Sequence, residues 1–291
     1  MAYDIVTDSS ANLTEEMYDQ FGISVLPLRF MNDGQEFVSY QKGVTTDLKL
    51  FYDRMREGAV YTTSLPYPHE TEVTLRGILE EGRDILYIGF SSGLSGTYDG
   101  TRIIMEELAK EYPDRKLMHV DTLAAAAGQG LLVWYAAKMK EGGASMEEVH
   151  AWVTENRLKL AHWFTVDDLV YLFRGGRVSR TSAWAGTLLK IKPVLHVDDE
   201  GKLIPMQKVR GRKKSIDALF EQIKKSADQP VSDQAVFISH GDCLEDVEYL
   251  EKRIEEEWHP KMIFHNILDP VIGAHSGPGT LALFFLASSR G

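Results

Sequence analysis

The run Y-I-G-F-S-S-G-L-S-G-T-Y-D-G, Tyr87 to Gly100, passes from apolar residues into serines and glycines and then resumes as a helical pattern. It reads as strand, tight polar loop, helix. Ile85, Leu86, Tyr87, Ile88 and Phe90 form a nearly continuous apolar stretch, the habit of a strand buried on both faces in a parallel sheet covered by helices. Gly93 and Gly96 let the chain turn sharply, and Ser91, Ser92, Ser95 and Thr97 gather hydroxyls at a helix start whose first N–H groups lack internal partners. Such a start favours an anion, so the carboxylate or phosphate of a small ligand beyond the strand's carboxyl end is the functional reading. The structural alternative is that Ser95 or Thr97 only caps its own helix.

The same grammar recurs on both sides of this stretch. Asp4 to Val6 leads into Thr7-Asp8-Ser9-Ser10 and a helix opening at Thr14, and Ser24 to Phe30 is a second apolar run closed by the turn signal Asn32-Asp33-Gly34. Thr62-Thr63-Ser64-Leu65-Pro66-Tyr67-Pro68 sets three hydroxyls on a segment that two prolines force into an extended, looped path. Either those hydroxyls meet a ligand or they form a surface turn that caps the helix from His69. Leu117 to Val120 is another short strand, and Leu123 to Lys140 a long helix whose alanines and glycines allow close approach. Ser145-Met146-Glu147-Glu148 is a capping box. Strands alternating with helices predict a mostly parallel sheet with helices on both faces.

The second half has a different texture. Pro193 to Val197 and Leu203 to Val209 flank Asp198-Asp199-Glu200-Gly201-Lys202, a hairpin signal that predicts antiparallel pairing absent from the first half. A chain of 291 residues exceeds the ~250 at which single cores tend to split. The expectation is an α/β protein of two lobes, an N-terminal α/β domain over 1–160 and a smaller α+β domain over 161–291. A net charge of −11 argues against a nucleic-acid partner. The single cysteine, Cys243, excludes an internal disulfide and a thiolate metal cluster. No apolar run is long enough to span a bilayer and the first residues have no leader character, so a cytoplasmic protein without stable membrane insertion is expected.

Near the end, Gly273-Ala274-His275-Ser276-Gly277-Pro278-Gly279-Thr280 fixes a loop around one histidine, which can donate to an anion or carry a proton. His162, His240 and His265 lack that setting and read as structural.

Val6-Thr7-Asp8-Ser9-Ser10-Ala11-Asn12-Leu13, Thr63-Ser64-Leu65-Pro66, Ser92-Gly93-Leu94-Ser95-Gly96-Thr97, Phe173-Arg174-Gly175-Gly176-Arg177 and the His275 loop together resemble the DegV family of bacterial fatty-acid-binding proteins. The five motifs span almost the whole chain in family order. The resemblance implies two α/β lobes holding a long-chain fatty acid between them as ligand, with no cofactor. It also implies a non-enzymatic role: presenting the acyl carboxylate to a separate ATP-dependent fatty acid kinase subunit that makes acyl phosphate. Carried over, the carboxylate contacts fall on Thr63, Ser95 and His275, with Ser92 and Gly96 in the same motif as Ser95. Arg174 and Arg177, with Arg210 and Arg212 in the basic run Lys208 to Lys214, match regions that would meet the kinase, unless they form only a solvated basic loop. Leu65 and Tyr67 depart from the family, which often carries Gln and a small residue there, and so bear on local pocket shape.

Burying ~15 methylenes would contribute on the order of 12 kcal/mol before ordering costs, so few polar contacts suffice to hold such a ligand. Two other readings stand beside this one. A serine hydrolase would use Ser95 as nucleophile and His275 as base, although Gly93-Leu94-Ser95-Gly96-Thr97 lacks the final glycine of a nucleophile elbow. A metal site would draw on Asp8, His240, Asp242 and His275, which are scattered along the chain.

Overall fold

The computed structural model describes residues 2–179, 191–228 and 230–290. The chain opens with β1 (Tyr3–Asp8), α1 (Glu15–Phe21), β2 (Ser24–Leu26), β3 (Arg29–Asn32), β4 (Gln35–Val38), α2 (Leu48–Arg56), β5 (Thr62–Ser64) and α3 (Pro68–Glu80). It continues through β6 (Asp84–Gly89), α4 (Thr97–Glu111), β7 (Leu117–Asp121), α5 (Ala126–Glu141), α6 (Met146–Asn156), β8 (Leu160–Thr165) and α7 (Val170–Arg174). The remaining elements are β9 (Ile191–Val197), β10 (Leu203–Arg210), α8 (Arg212–Ser226), β11 (Ala235–His240), α9 (Leu244–Trp258), β12 (Met262–Ile267), α10 (Pro270–Ser276) and β13 (Leu281–Leu286).

The apolar stretch around Tyr87 is β6, at the centre of a four-stranded parallel sheet in the order β2-β1-β6-β7. Every residue of β1 and β6 is buried, because helices cover both faces. Val6, Ile85 and Tyr87 pack on Leu75, Leu79, Met105 and Leu108 of α3 and α4, whereas Ile5, Leu86 and Ile88 turn the other way toward α5. Beyond α5 lies a six-stranded sheet, β10-β9-β8-β13-β11-β12, antiparallel except for the parallel pair β11 and β12. Helices α8 and α9 cover its far side through Ile216, Leu219, Phe220, Val247 and Leu250.

Helix α5 is therefore sandwiched between two sheets, which explains its small side chains. A Cβ on Gly130 would lie 2.3 Å from the Ala11 carbonyl oxygen, so only glycine permits the approach. One apolar cluster runs from Ile5 and Leu86 through Leu131 and Leu132 to Phe164, Phe237 and Phe284, so the two halves of the chain share an interior.

Four features differ from the sequence expectation, one being that the loop expected around His275 is half helix, because Asp269 and Pro270 start α10, which runs to Ser276 and is ended by Gly277. Antiparallel pairing is not confined to the second half: β4, β3 and β5 form a small antiparallel sheet in the first. Its hairpin is the Asn32-Asp33-Gly34 turn, where Asp33 (φ 50°) and Gly34 (φ 77°) both take the left-handed conformation that closes a two-residue hairpin. Thr62 to Ser64 is accordingly a short strand instead of a loop. The helix expected from Leu123 begins only at Ala126, since Leu123 (φ 53°) and Ala126 (φ 52°) are both left-handed.

Candidate functional site

The polar residues at the carboxyl ends of β1 and β6 first serve the fold. Asp8 is fully buried and accepts from the Ser10 N–H (3.2 Å), the Phe90 N–H (3.0 Å), the Tyr87 hydroxyl (3.0 Å) and Gln129 Nε2 (3.2 Å). Burial raises its pKa and these hydrogen bonds oppose the rise. One carboxylate thus ties together the ends of two strands and the first turn of α5. The next loop is fastened in turn, because the Ser91 hydroxyl donates to the Gly201 carbonyl (2.8 Å) in the β9–β10 hairpin.

This fastening leaves a cavity of ≈ 270 Å³ between the parallel-sheet loops and the inner face of the six-stranded sheet. Thr63, Ser95, Arg177 and His275 supply polar groups to its lining, and Leu28, Phe90, Ala126, Phe164, Leu268 and Ala282 supply much of the rest. A second cavity of ≈ 230 Å³ also touches Thr63, Arg177 and His275, so these three side chains stand between the two spaces.

Thr63 Oγ1 and His275 Nε2 lie 2.7 Å apart, joining β5 to α10 across 212 residues of sequence. Helix α10 is held by Asp269, whose Oδ1 accepts from the Val271 N–H (2.7 Å) and the Ile272 N–H (3.2 Å). The glycine pair after α7 gives the histidine room: a Cβ on Gly175 would lie 2.2 Å from His275 Nδ1. Burial, reinforced by the nearby Arg177 guanidinium, lowers the His275 pKa to about 4, so the ring is neutral at pH 7. Arg177 donates through Nε to the Leu94 carbonyl (3.2 Å) and through a second nitrogen to the Gly175 carbonyl. Both acceptors are neutral, and no carboxylate from the described residues pairs with it. A cation held this way inside a concave site is poised for an anion.

Of the residues singled out in the sequence, Thr63, Ser95, Gly96 and His275 come together on this one cavity. Ser95 also does what the structural alternative proposed: its Oγ accepts from the Thr97 N–H (3.2 Å) and pairs with the Thr97 hydroxyl (2.8 Å) at the start of α4. Ser92 stands apart, exposed and outside the cavity, with its N–H directed at Asp121 Oδ1 (3.3 Å). The four arginines separate as well. Arg177 lines the cavity, Arg212 is committed to Asp246 at 2.7 Å, Arg174 is exposed beside the second cavity, and Arg210 is exposed at the end of β10. Leu65 lines the cavity and Tyr67 does not, since its hydroxyl donates to Glu36 Oε2 (2.6 Å) under the Arg29 guanidinium.

The sequence marked Ser64 among the three hydroxyls before the prolines and Ser276 within the His275 stretch without assigning either to the carboxylate; both hydroxyls are buried, line the cavity and find no partner among the described residues. The sequence did not place Arg177 inside. Ser95 and His275 engage different hydroxyls, Thr97 and Thr63, instead of each other, which removes the hydrogen bond a nucleophile–base pair requires. Asp242 pairs with Arg56, and burial lowers the His240 pKa to about 4 while its Nδ1 accepts from the Cys243 N–H (3.3 Å). Among the described residues no group of three or more His, Cys, Asp or Glu could hold a metal ion, and no helix is long and apolar enough to cross a membrane.

A DegV domain-containing protein of Clostridium perfringens is 44% identical over 286 residues, covering 98% of each chain. A solved structure described as a DegV lipid-binding protein from Thermotoga maritima superposes with a TM-score of 0.86 at 31% identity, covering 100% of both chains. One described as showing fatty acid binding of a DegV family protein from Thermus thermophilus gives 0.87 at 30% identity, covering 99% of this chain and 100% of that one. The family model described as "Uncharacterised protein, DegV family" matches residues 2–288. With the motifs in order, the fold matched end to end and nearly every residue inside the family match, this chain belongs to the DegV family.

Proposed function

We propose that this protein is a cytoplasmic carrier of a long-chain fatty acid, without catalytic residues of its own, that presents the acyl carboxylate to a separate ATP-dependent kinase subunit for acyl-phosphate formation. The observation that carries the reading is the cavity in which Thr63, Ser95, Arg177 and His275 gather polar groups on an otherwise largely apolar lining. The carboxylate would take hydrogen bonds from Thr63, Ser95 and the His275 ring and charge from Arg177, while the tail lies among Phe90, Phe164, Leu268 and Ala282. Hydroxyl donors suit an anion that must later react, since they bind it without neutralising it. The lipid and fatty acid binding described for the Thermotoga and Thermus proteins, each about 30% identical over nearly the whole chain, supports the ligand class.

In this reading the ligand lies between an N-terminal unit, 1–160, and a C-terminal unit, 161–291. The second cavity, on the far side of Thr63, Arg177 and His275, gives a phosphoryl donor access to the carboxylate, with Arg174 beside it. Arg174 and Arg210 are the exposed cations offered to the kinase, and Arg177 acts on the ligand instead.

Denaturing extraction of the purified protein followed by mass spectrometry tests the ligand. A stoichiometric long-chain fatty acid is the expected result, and an empty extract from a protein that also fails to take up added fatty acid would refute it. Transfer of labelled γ-phosphate from ATP to the bound acid, dependent on a kinase subunit and lost when that subunit is withheld, tests the presentation step.

A further inference from the structure

His162 occupies an unexpected position for an ionisable group. It lies on β8 with only 4% of its surface exposed, on the same sheet face as Phe164, and it lines the cavity proposed for the acyl tail. Phe284, its register partner on β13, presents a ring edge-on at 4.6 Å. Burial and the Arg290 guanidinium push its pKa well down, so the ring is neutral and carries one N–H donor and one bare nitrogen.

Neither nitrogen is hydrogen-bonded to a described residue. Nδ1 is sealed against the first turn of α5, where a Cβ on Gly128 would lie 3.5 Å away. Nε2 is not sealed in this way, and the residue lines the cavity, so Nε2 is the nitrogen through which the ring can meet a ligand. An imidazole nitrogen without a protein partner on a largely apolar cavity wall is a ready site for a hydrogen-bonding group carried by the ligand. Its depth sets where that group sits. Thr165 is opposite Leu281, just after the Ser276–Thr280 turn beside the head-group residues, and His162 is three residues further along β8, a distance of ~10 Å.

We propose that His162 is a specificity residue for an oxygenated acyl chain, its Nε2 hydrogen-bonding a hydroxyl carried mid-chain by a long-chain hydroxy acid. This rests on the fatty-acid reading of the cavity. A hydroxyl is the group that fits, because it donates and accepts and therefore satisfies Nε2 in either tautomer. A double bond or a methylene offers neither.

The test is displacement of a fluorescent fatty acid by octadecanoic acid and by a positional series of its mid-chain monohydroxy derivatives, on wild type, His162→Leu and His162→Gln. In the wild type at least one positional isomer should bind as tightly as the unsubstituted acid or more tightly. In His162→Leu the same isomer should fall about ten-fold or more behind it, with the unsubstituted acid bound at least as well as by wild type. His162→Gln, which restores a donor and an acceptor, should recover much of the loss. Equal penalties for every isomer in wild type and His162→Leu would overturn the inference while leaving the fatty-acid reading intact. Failure of the wild type to bind any of the acids would overturn both. Should His162→Leu not fold, the positional dependence in wild type and its retention in His162→Gln decide the matter.

Discussion

Replacing Thr63 by valine keeps the shape and β-branching of the side chain and deletes one oxygen. That oxygen lies 2.7 Å from His275 Nε2 and borders both cavities, so its loss has two separable consequences. The free protein loses one neutral hydrogen bond and leaves an imidazole nitrogen unpaired at a cavity wall, which should lower stability by about 1 kcal/mol. The liganded protein also loses a charge-assisted hydrogen bond to the carboxylate, worth about 1.5–3 kcal/mol, or roughly a 10- to 150-fold weaker dissociation constant. The apolar wall is untouched, so the tail contribution stays the same. The assay is displacement of a fluorescent fatty acid by a long-chain acid and by the alcohol of equal chain length. Wild type should prefer the acid, and Thr63→Val should lose most of that preference through the acid alone while binding the alcohol nearly as before. An unchanged acid-to-alcohol ratio would refute the head-group assignment, even if both ligands bound more weakly.

Arg177→Met, which retains the length of the stem but removes the charge, should weaken the acid by at least ten-fold in the same assay and make its binding less sensitive to salt; an unaltered salt dependence would contradict a role on the carboxylate. Gly175→Ala should displace His275, because the new Cβ would lie 2.2 Å from its Nδ1, and so reduce acid binding while secondary structure by circular dichroism is retained; wild-type affinity would show that the ring can move without consequence. His240 titrates at about 4 when folded against an ordinary 6.5, so the folded state binds fewer protons in this window and stability should fall by about 2–3 kcal/mol as pH drops through it. Denaturant titrations between pH 7 and pH 4.5 should therefore show a shallower loss for His240→Gln, and identical slopes would negate the argument. Asp269 has the opposite sign: burial raises its pKa from 3.8 to about 7, so its contribution is full below the ordinary value and is lost as pH rises through about 7. Asp269→Asn should remove that alkaline loss, and a loss as large as that of wild type between pH 5 and pH 8 would exclude Asp269 as its source.

The local elements were readable because each carries its own physical signal. The apolar run at Tyr87 could only be an interior strand, the Ser145 and Glu148 pair forms its capping box, and Asp198 to Lys202 turns a hairpin. The misread pieces are those in which a signal was present but its consequence lay far away. Asn32-Asp33-Gly34 announced a turn, but whether a third strand would join the hairpin depended on Phe30 finding Thr63 across the loop and helix between them. The helix at Leu123 was shortened by contacts from the chain end, where Arg290 donates to the Thr122 and Leu123 carbonyls and holds a left-handed segment.

Arg177 shows the same limit at the site. Its motif of two arginines around two glycines reads as a basic surface loop, and nothing local distinguishes the arginine that turns inward from Arg174, which remains exposed. His162 was read as a core histidine, which it is by burial, yet the same residue forms part of the cavity wall.

By itself, the sequence determined most of the strands and helix starts and the small-residue helix, because capping, turn chemistry and apolar periodicity act over a few residues. Tertiary structure alone decided that α5 would lie between two sheets, that Thr63 would meet His275, and which arginine would face the cavity. Those outcomes depend on how separate elements pack, and packing is settled by the shapes of surfaces that no short stretch of chain contains.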